Sequence, residues 1–290
     1  MKQKNNQNNA ISKLLKNKVI LITGGAGSVG LELTKKLLEF QVKQIRILDI
    51  NEHALFTVNR ILKDKRVRTL FGSVTNPDRI EFAAINTDII IHLAALKNIE
   101  ITEFNALETI ETNVDGTVNM IKMTIKNKPS LFLNISTDKV AASSTLYGAT
   151  KQIGERLTQW AAIHIQTTKF ASVRFGNVIE TRGNVFEVWR EESSKNKPLS
   201  ITHPNMKRYF WHIDEAVGFI LQALVNMKQG EIFIPKMKLY KVTDLASKIS
   251  KKHKVVGLRP GEKLEELLIT DDEKNIAIEK NNMWVLKSKF

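Results

Sequence analysis

Between Lys18 and Phe175 the chain repeats one pattern, a short apolar run followed by an amphipathic stretch. The apolar runs are KVILIT, QIRILDI, RVRTLFG, DIIIHLA, SLFLNIS and KFASVRF. Stretches with helical periodicity, such as VGLELTKKLLEF and ALETIETNVDGTVNMIKMTIKN, lie between them. Runs that are apolar without alternation suit strands buried on both faces, and the intervening helices supply the crossovers that parallel strands require. The pattern predicts an α/β fold, a Rossmann-like doubly wound parallel sheet. After Phe175 the character changes. GNVIETRGNV and SITHPNMKRYFW read as loops, DEAVGFILQALVNM and VTDLASKISKKH as helices, and GEIFIP as a strand.

The first apolar run leads directly into TGGAGSVG. Gly24, Gly27 and Gly30 permit a tight turn and let backbone N–H groups at a helix N-terminus approach a pyrophosphate, with Ser28 in the same turn. Asp49 ends the second run, roughly 20 residues beyond the glycines, where a carboxylate can accept both ribose hydroxyls of NAD and repel a 2′-phosphate. Capping of the next helix is a compatible role for it. In HLAALKN, the small Ala94 and Ala95 allow the backbone to pass close to a cofactor. His92 reads as packed in the sheet. Lys97 reads equally as a phosphate contact or as a solvated lysine.

The fifth run is followed by STDKVAASSTLYGATK. Tyr147 and Lys151, four apart, share one face of a helix. A lysine cation there is expected to lower the phenol pKa and make tyrosinate available as a base near neutral pH. Thr137, Asp138 and Lys139 stand just upstream, at the junction of strand and loop. An ordinary polar turn is the plainer reading of those three; their place ahead of Tyr147 favours catalysis. Further on, Asn177, Arg182, Arg208 and Arg259, with Glu262 beside the last, read jointly as a clamp for a nucleotide diphosphate. Arg259 lies in RPGEK, where Pro and Gly fix the backbone that carries the guanidinium. The division expected is an N-terminal tail at 1–16, a dinucleotide-binding domain carrying the catalytic residues at 17–175 and a smaller substrate-binding lobe at 176–290. The first ten residues read as disordered, with AISKLLK as a short lead-in helix.

Composition narrows the alternatives. The chain has 290 residues and no cysteine, which excludes disulfides, thiolate catalysis and cysteine-rich metal sites, and no metal is expected. A reducing cytoplasm fits. No apolar run approaches the roughly 18 residues of a membrane span, and the polar, basic start followed by VILI does not make a signal-peptide core. The net charge of +14 is spread along the length without interleaved aromatics. It therefore reads as general lysine abundance and not as a nucleic-acid surface, although a pyrophosphate ligand would benefit from it.

Together these blocks resemble the extended short-chain dehydrogenase/reductases. More narrowly they resemble the UDP-N-acetylglucosamine 4,6-dehydratases of the CapD-like polysaccharide biosynthesis family. The matching segments are TGGAGSVG, HLAALKNIEITEFNALETIETNVDGT, STDK with LYGATK, VRFGNVIETRGNV, MKRYFWHIDEAV, GEIFIP and LRPGEKLEELL. The resemblance implies a cytoplasmic homo-oligomer, dimer or hexamer, holding NAD or NADP tightly and acting on a UDP-sugar. Tyr147, helped by Lys151 and Thr137, would take the proton of the sugar 4-hydroxyl as hydride leaves carbon 4. Lys139, as a neutral amine of depressed pKa, would remove the carbon-5 proton. Asp138 would protonate the departing 6-hydroxyl, and the hydride would return to carbon 6. Tyr147 points to the branch that inverts carbon 5. Three positions depart from the pattern. Asp49 replaces a Ser-Arg pair, which favours NAD. Ser73 replaces an Asp at the adenine. AASST replaces Ala-Asn-Pro, which predicts a looser catalytic loop. A UDP-hexose 4-epimerase shares everything except a use for Asp138 and Lys139. A nucleotide-sensing regulator on this fold would commonly lack Tyr147 or Lys151.

Overall fold

The computed structural model describes residues 2–280 and 282–288. Its strands are β1 (Val19–Thr23), β2 (Gln44–Asp49), β3 (Val67–Phe71), β4 (Ile89–His92), β5 (Leu131–Thr137), β6 (Lys169–Phe175), β7 (Asn177–Val178), β8 (Leu199–Ile201), β9 (Lys207–Trp211), β10 (Glu231–Pro235), β11 (Leu239–Lys241), β12 (His253–Val255), β13 (Ile278–Lys280) and β14 (Met283–Leu286). The main sheet runs β13-β14-β10-β6-β5-β4-β1-β2-β3. It is parallel from β10 to β3, and β14 and β13 add an antiparallel edge. All six expected strands are present.

Every residue of β1, β4 and β5 is buried, which is why those runs do not alternate. Ile20, Ile22, Ile45, Ile47, Ile89, Leu133 and Val173 face one layer of helices, Ser28–Leu38, Glu52–Leu62 and Ile213–Asn226. Leu21, Leu48, Ile90, Phe132 and Phe170 face the other, Pro77–Ala84, Gly116–Asn127 and Leu146–His164. The doubly wound fold is thus a three-layer sandwich. Its loops at the carboxyl ends of β1, β4, β5 and β6 converge on one edge, where open parallel sheets bind ligands.

Several local expectations change. The N-terminal segment is a helix, Lys2–Leu15, and not a disordered tail. Ile11 and Leu15 are buried in the main core, and this helix packs against Ile213–Asn226. Its Asn- and Gln-rich start concealed an apolar stripe only two residues wide. The helix expected through His253 stops at Ala246, and His253 instead begins β12, paired with β8. The loop-like stretch after Phe175 contains β7 and the helix Val185–Ser194, capped by Asn184. β10, β13 and β14 extend the main sheet, while β11-β9-β7 and β12-β8 make two small sheets beside it.

One buried ion cluster ties β6, the helix Leu146–His164 and the C-terminal chain together. Arg174 on β6 is almost fully buried. It forks onto Glu155 of the helix Leu146–His164 (Nε to Oε1 3.1 Å, Nη2 to Oε2 2.8 Å). It forks again onto Glu273 (2.8 Å from each terminal nitrogen) and donates to the Leu268 carbonyl at 3.1 Å. Removing one partner of a buried ion cluster leaves uncompensated charge and typically costs about 3–5 kcal/mol. Arg174→Met is therefore expected to lose about that much stability, measured by urea unfolding at pH 7. A loss below about 1 kcal/mol would show that the two carboxylates find other partners.

Candidate active site

At the end of β1 the chain turns through Gly24 with φ +65°. A Cβ on Gly24 would lie 2.7 Å from the Ala94 backbone, so only glycine lets the β1 and β4 loops approach this closely. Gly27 caps the helix Ser28–Leu38, which also holds Gly30. Asp49 reaches across from β2 and accepts the Ala26 N–H (3.0 Å) and the Asn51 N–H (3.0 Å). Its carboxylate is thereby fixed beside the glycine turn, with lone pairs left for further donors. The Asn51 side chain, and not Asp49, caps the next helix. Ala94 and Ala95 follow β4, and the Ala94 N–H donates weakly to Thr23 (3.4 Å). Ser73 is turned back into its own loop, bonded to the Thr75 hydroxyl and N–H.

The catalytic candidates come together on the neighbouring strand. Asp138–Val140 forms a single 3₁₀ turn at the end of β5. Asp138 Oδ1 accepts from the Thr137 hydroxyl (3.0 Å) and the Lys139 ammonium (3.0 Å). Its second oxygen, Oδ2, is buried without a partner and faces Gly176, where a Cβ would lie 3.2 Å from it. Tyr147 and Lys151 project from the helix Leu146–His164, capped by Thr145.

The charges differ from those expected. Burial raises the Tyr147 phenol pKa, and Lys139 and a hydrogen bond with Thr137 only partly oppose it. Tyrosinate is thus not the resting state. Burial works to lower the Lys139 ammonium, but Asp138, Glu266 and Tyr147 outweigh it and the net shift is upward. The depressed pKa expected of Lys139 is not found. Lys151 is the depressed one, to about 8, by burial against a smaller opposing pull from Glu155.

The expected clamp divides into two groups. Arg182 donates to the Ala26 carbonyl, and its N–H donates to Ser28 Oγ (2.9 Å), so it lies over the glycine turn. Lys97, on the rim, has its pKa lowered by desolvation and then by Arg182. The second group is Arg208, Arg259 and Glu262. Buried Arg208 pairs with Glu262 (3.2 Å), and Glu262 also accepts the Arg259 N–H (3.2 Å). Arg259 itself pairs at the surface with Glu100 (2.8 Å). Asn177 is spent on the Tyr209 carbonyl (3.1 Å).

Two features escaped the sequence reading. The residues Glu111–Asp115 form a π-turn inside the long helix. It aims Asn113 inward, where the amide bonds the Leu96 N–H (2.8 Å), the Leu96 carbonyl (3.0 Å) and Thr150 (3.0 Å). Asn113 therefore staples the β4 loop to the residue before Lys151. Uniform helical periodicity carries no sign of such a bulge. The AASST loop is also anchored, not loose. Ser144 donates to the Gly261 carbonyl (2.6 Å), and Lys263 bonds the carbonyls of Ala141 and Ala142.

The fold, the glycine turn and the Tyr147–Lys151 pair define an extended short-chain dehydrogenase/reductase. The chain belongs to the polysaccharide biosynthesis protein family, whose model matches residues 20–288. An uncharacterized membrane protein of Methanocaldococcus jannaschii is 40% identical over 95% of this chain and 87% of its own length. An inverting UDP-N-acetylglucosamine 4,6-dehydratase of Campylobacter jejuni is 36% identical over 93% and 82%. A UDP-glucose 4-epimerase of Rickettsia bellii is 30% identical over 92% and 82%. Among solved structures, Pen from Bacillus thuringiensis superposes with a TM-score of 0.91 at 33% identity, covering 95% of this chain and 91% of that one. The dTDP-glucose 4,6-dehydratase DesIV of Streptomyces venezuelae, solved with NAD and TYD bound, gives 0.79 at 18%, covering 89% and 90%. No helix among the described residues is long and apolar enough to cross a membrane.

A buried lysine of depressed pKa weakens the fold that carries it. The unfolded chain binds the proton more readily, so stability rises between pH 8 and the ordinary lysine range. Lys151→Met is expected to melt at a higher temperature than wild type at pH 7, with the gap closing as the pH rises through 8 toward 10. An unchanged melting temperature at pH 7 would show that Glu155 compensates the buried charge in full.

Proposed function

We propose that the protein is a nicotinamide-dependent dehydratase. It removes water across carbons 5 and 6 of UDP-N-acetylglucosamine and inverts carbon 5. The product is a UDP-4-keto-6-deoxy-N-acetylhexosamine for surface polysaccharide or glycan synthesis. The observation that carries this reading is the pair of buried Asp138 and partly buried Lys139, hydrogen-bonded at 3.0 Å next to Tyr147. An epimerase needs Tyr147 and Lys151 but has no use for an acid and a base beside them.

The glycine turn fits a dinucleotide. Glycine at 24 lets the β1 and β4 loops meet backbone to backbone, and the Asp49 carboxylate, held by the Ala26 and Asn51 N–H groups, keeps lone pairs that a ribose could use. Gly24, Gly27, Ser28, Gly30, Asp49, Ala94 and Ala95 would hold it, with Ser73, Tyr147 and Lys151 around its rim, and Asp49 favours NAD over NADP. When bound, it supplies the hydride acceptor at carbon 4 and the donor at carbon 6. Tyr147 first gives up its own phenol proton to solvent and then, as tyrosinate, receives the proton of the 4-hydroxyl, with Thr137 bonded to the phenol and Lys151 one helical turn away. The resulting ketone acidifies carbon 5. Asp138 and Lys139 then need one proton on the carboxyl and none on the amine. Transfer of a proton along their hydrogen bond, from Nζ to Oδ1, creates both at once. Lys139 removes the carbon-5 proton and Asp138 protonates the leaving 6-hydroxyl. Arg208, Arg259 and Glu262 would meet the UDP moiety, Asn177 would line the sugar side, and Lys97 with Arg182 would add positive field at the diphosphate.

Lys139→Ala removes the base and leaves the groups that act at carbon 4. Water loss from UDP-N-acetylglucosamine is expected to fall by about a hundred- to ten-thousand-fold, with KM little changed. Wild-type dehydration by this variant would place the base elsewhere. If the wild-type protein interconverts the two 4-epimers without losing water, it is an epimerase.

A further inference from the structure

The sheet face beneath the helix Leu146–His164 carries a polar layer that the proposed chemistry does not use. His92 on β4, Asn134 on β5 and Ser172 on β6 are neighbours across three parallel strands, and all three are buried. His92 is satisfied by two hydroxyls, with Nδ1 2.7 Å from that of Thr23 and Nε2 3.2 Å from that of Thr117. Thr117 gives its own proton to the Asn113 carbonyl at 2.7 Å. It therefore accepts from Nε2–H and keeps one lone pair. Asn134 and Ser172 differ from His92. Among the described residues, neither amide atom of Asn134 nor the Ser172 hydroxyl has a hydrogen-bond partner, although all three atoms are buried. Leaving such groups unpaired is costly, and native proteins almost always satisfy them.

The helix makes room at this place. Gly154 lies in its buried interior, where glycine is less favourable than alanine. A Cβ on Gly154 would lie 3.5 Å from Asn134 Nδ2 and 3.9 Å from Thr117 Oγ1, its nearest neighbours across the interface. Both are ordinary contact distances, so crowding does not demand glycine here. A group of methyl size at that point faces an amide and a hydroxyl. We propose that Gly154 opens a binding site for a buried water molecule held by Asn134 and Thr117. The water accepts from the Asn134 N–H and donates to the remaining lone pair of Thr117. Its second proton is left for the Asn134–Ser172 pair. Water suits the site because it can accept and donate at once, whereas a cation cannot accept from an N–H. Gly154 stands one helical turn beyond Lys151, and Thr117 leads through Asn113 to Thr150, the residue before Lys151. The water is thus part of the bonded seat of the helix that carries Tyr147 and Lys151. This role is independent of the reaction the protein catalyses.

The test is a crystal structure of the intact protein at a resolution that shows ordered solvent. One solvent peak is expected between Gly154, Asn134 and Thr117, at about 2.7–3.2 Å from the side chains of the latter two. The absence of a peak, or an Asn134 amide turned to bond Ser172 directly in its place, overturns the proposal. In Gly154→Ala the methyl group takes the water's position and the peak is expected to be lost. A peak that persists unchanged there overturns the assignment to the Gly154 gap. If Gly154→Ala gives no crystals, melting curves replace that arm. Alanine at 154 strands the Asn134 amide in the wild-type background and strands nothing beside Asn134→Ala. It is therefore expected to raise the melting temperature by about 2–6 °C more in the Asn134→Ala background. Equal shifts in the two backgrounds, or a smaller one beside Asn134→Ala, overturn the proposal.

Discussion

Arg174 stands where three parts of the chain meet: strand β6, the helix that carries Tyr147 and Lys151, and the C-terminal segment that covers the catalytic turn. Its guanidinium has five N–H donors in a fixed plane, and the structure uses that plane for two carboxylates and a carbonyl. Glu155, one turn beyond Lys151, is fixed in place by the fork. Glu273 and Leu268 bring the C-terminal chain back to the sheet. This junction adds an anchor to a segment that Ser144 and Lys263 already tie to the loop after Asp138 and Lys139. Hydrophobic burial builds the sandwich, and these polar contacts hold its carboxyl edge together.

The site is a set of charges balanced against burial. Lys139 is largely desolvated but its pKa is raised by Asp138 and other neighbours, and Lys151 is buried with weaker compensation and drops to about 8. His92, between Thr23 and Thr117 (2.7 and 3.2 Å), is lowered to about 3 by burial and then by Lys151. It stays neutral and works as a structural hydrogen-bond bridge beneath the β4 loop. Gly176 keeps the space over the free oxygen of Asp138 open. Each element has its own local cause, and all lie at the carboxyl edge of the same parallel strands.

The sheet was legible because its strands are buried on both faces, so apolar runs and crossovers announce it directly. The places of Gly24 and Asp49 at the ends of β1 and β2 were legible from spacing, and those of Thr137, Asp138, Lys139, Tyr147 and Lys151 after β5 from their order behind a strand. What the sequence hid depends on contacts between distant residues. Asn113 acts only because a π-turn rotates it inward. The upward shift of Lys139 comes against burial from Asp138, Glu266 and Tyr147, of which Glu266 is far away in sequence. The N-terminal helix was hidden by its polar composition, since two buried residues, Ile11 and Leu15, suffice to dock it.

The central claim, that Asp138 and Lys139 make this site a dehydratase, is tested most directly by incubating the protein with UDP-N-acetylglucosamine and NAD in heavy water and following the sugar by mass and proton spectra. The account predicts loss of one water, a solvent deuteron at carbon 5 and inverted configuration there. A product of unchanged mass, with carbon 5 still carrying its original hydrogen and carbon 4 epimerised, would contradict it.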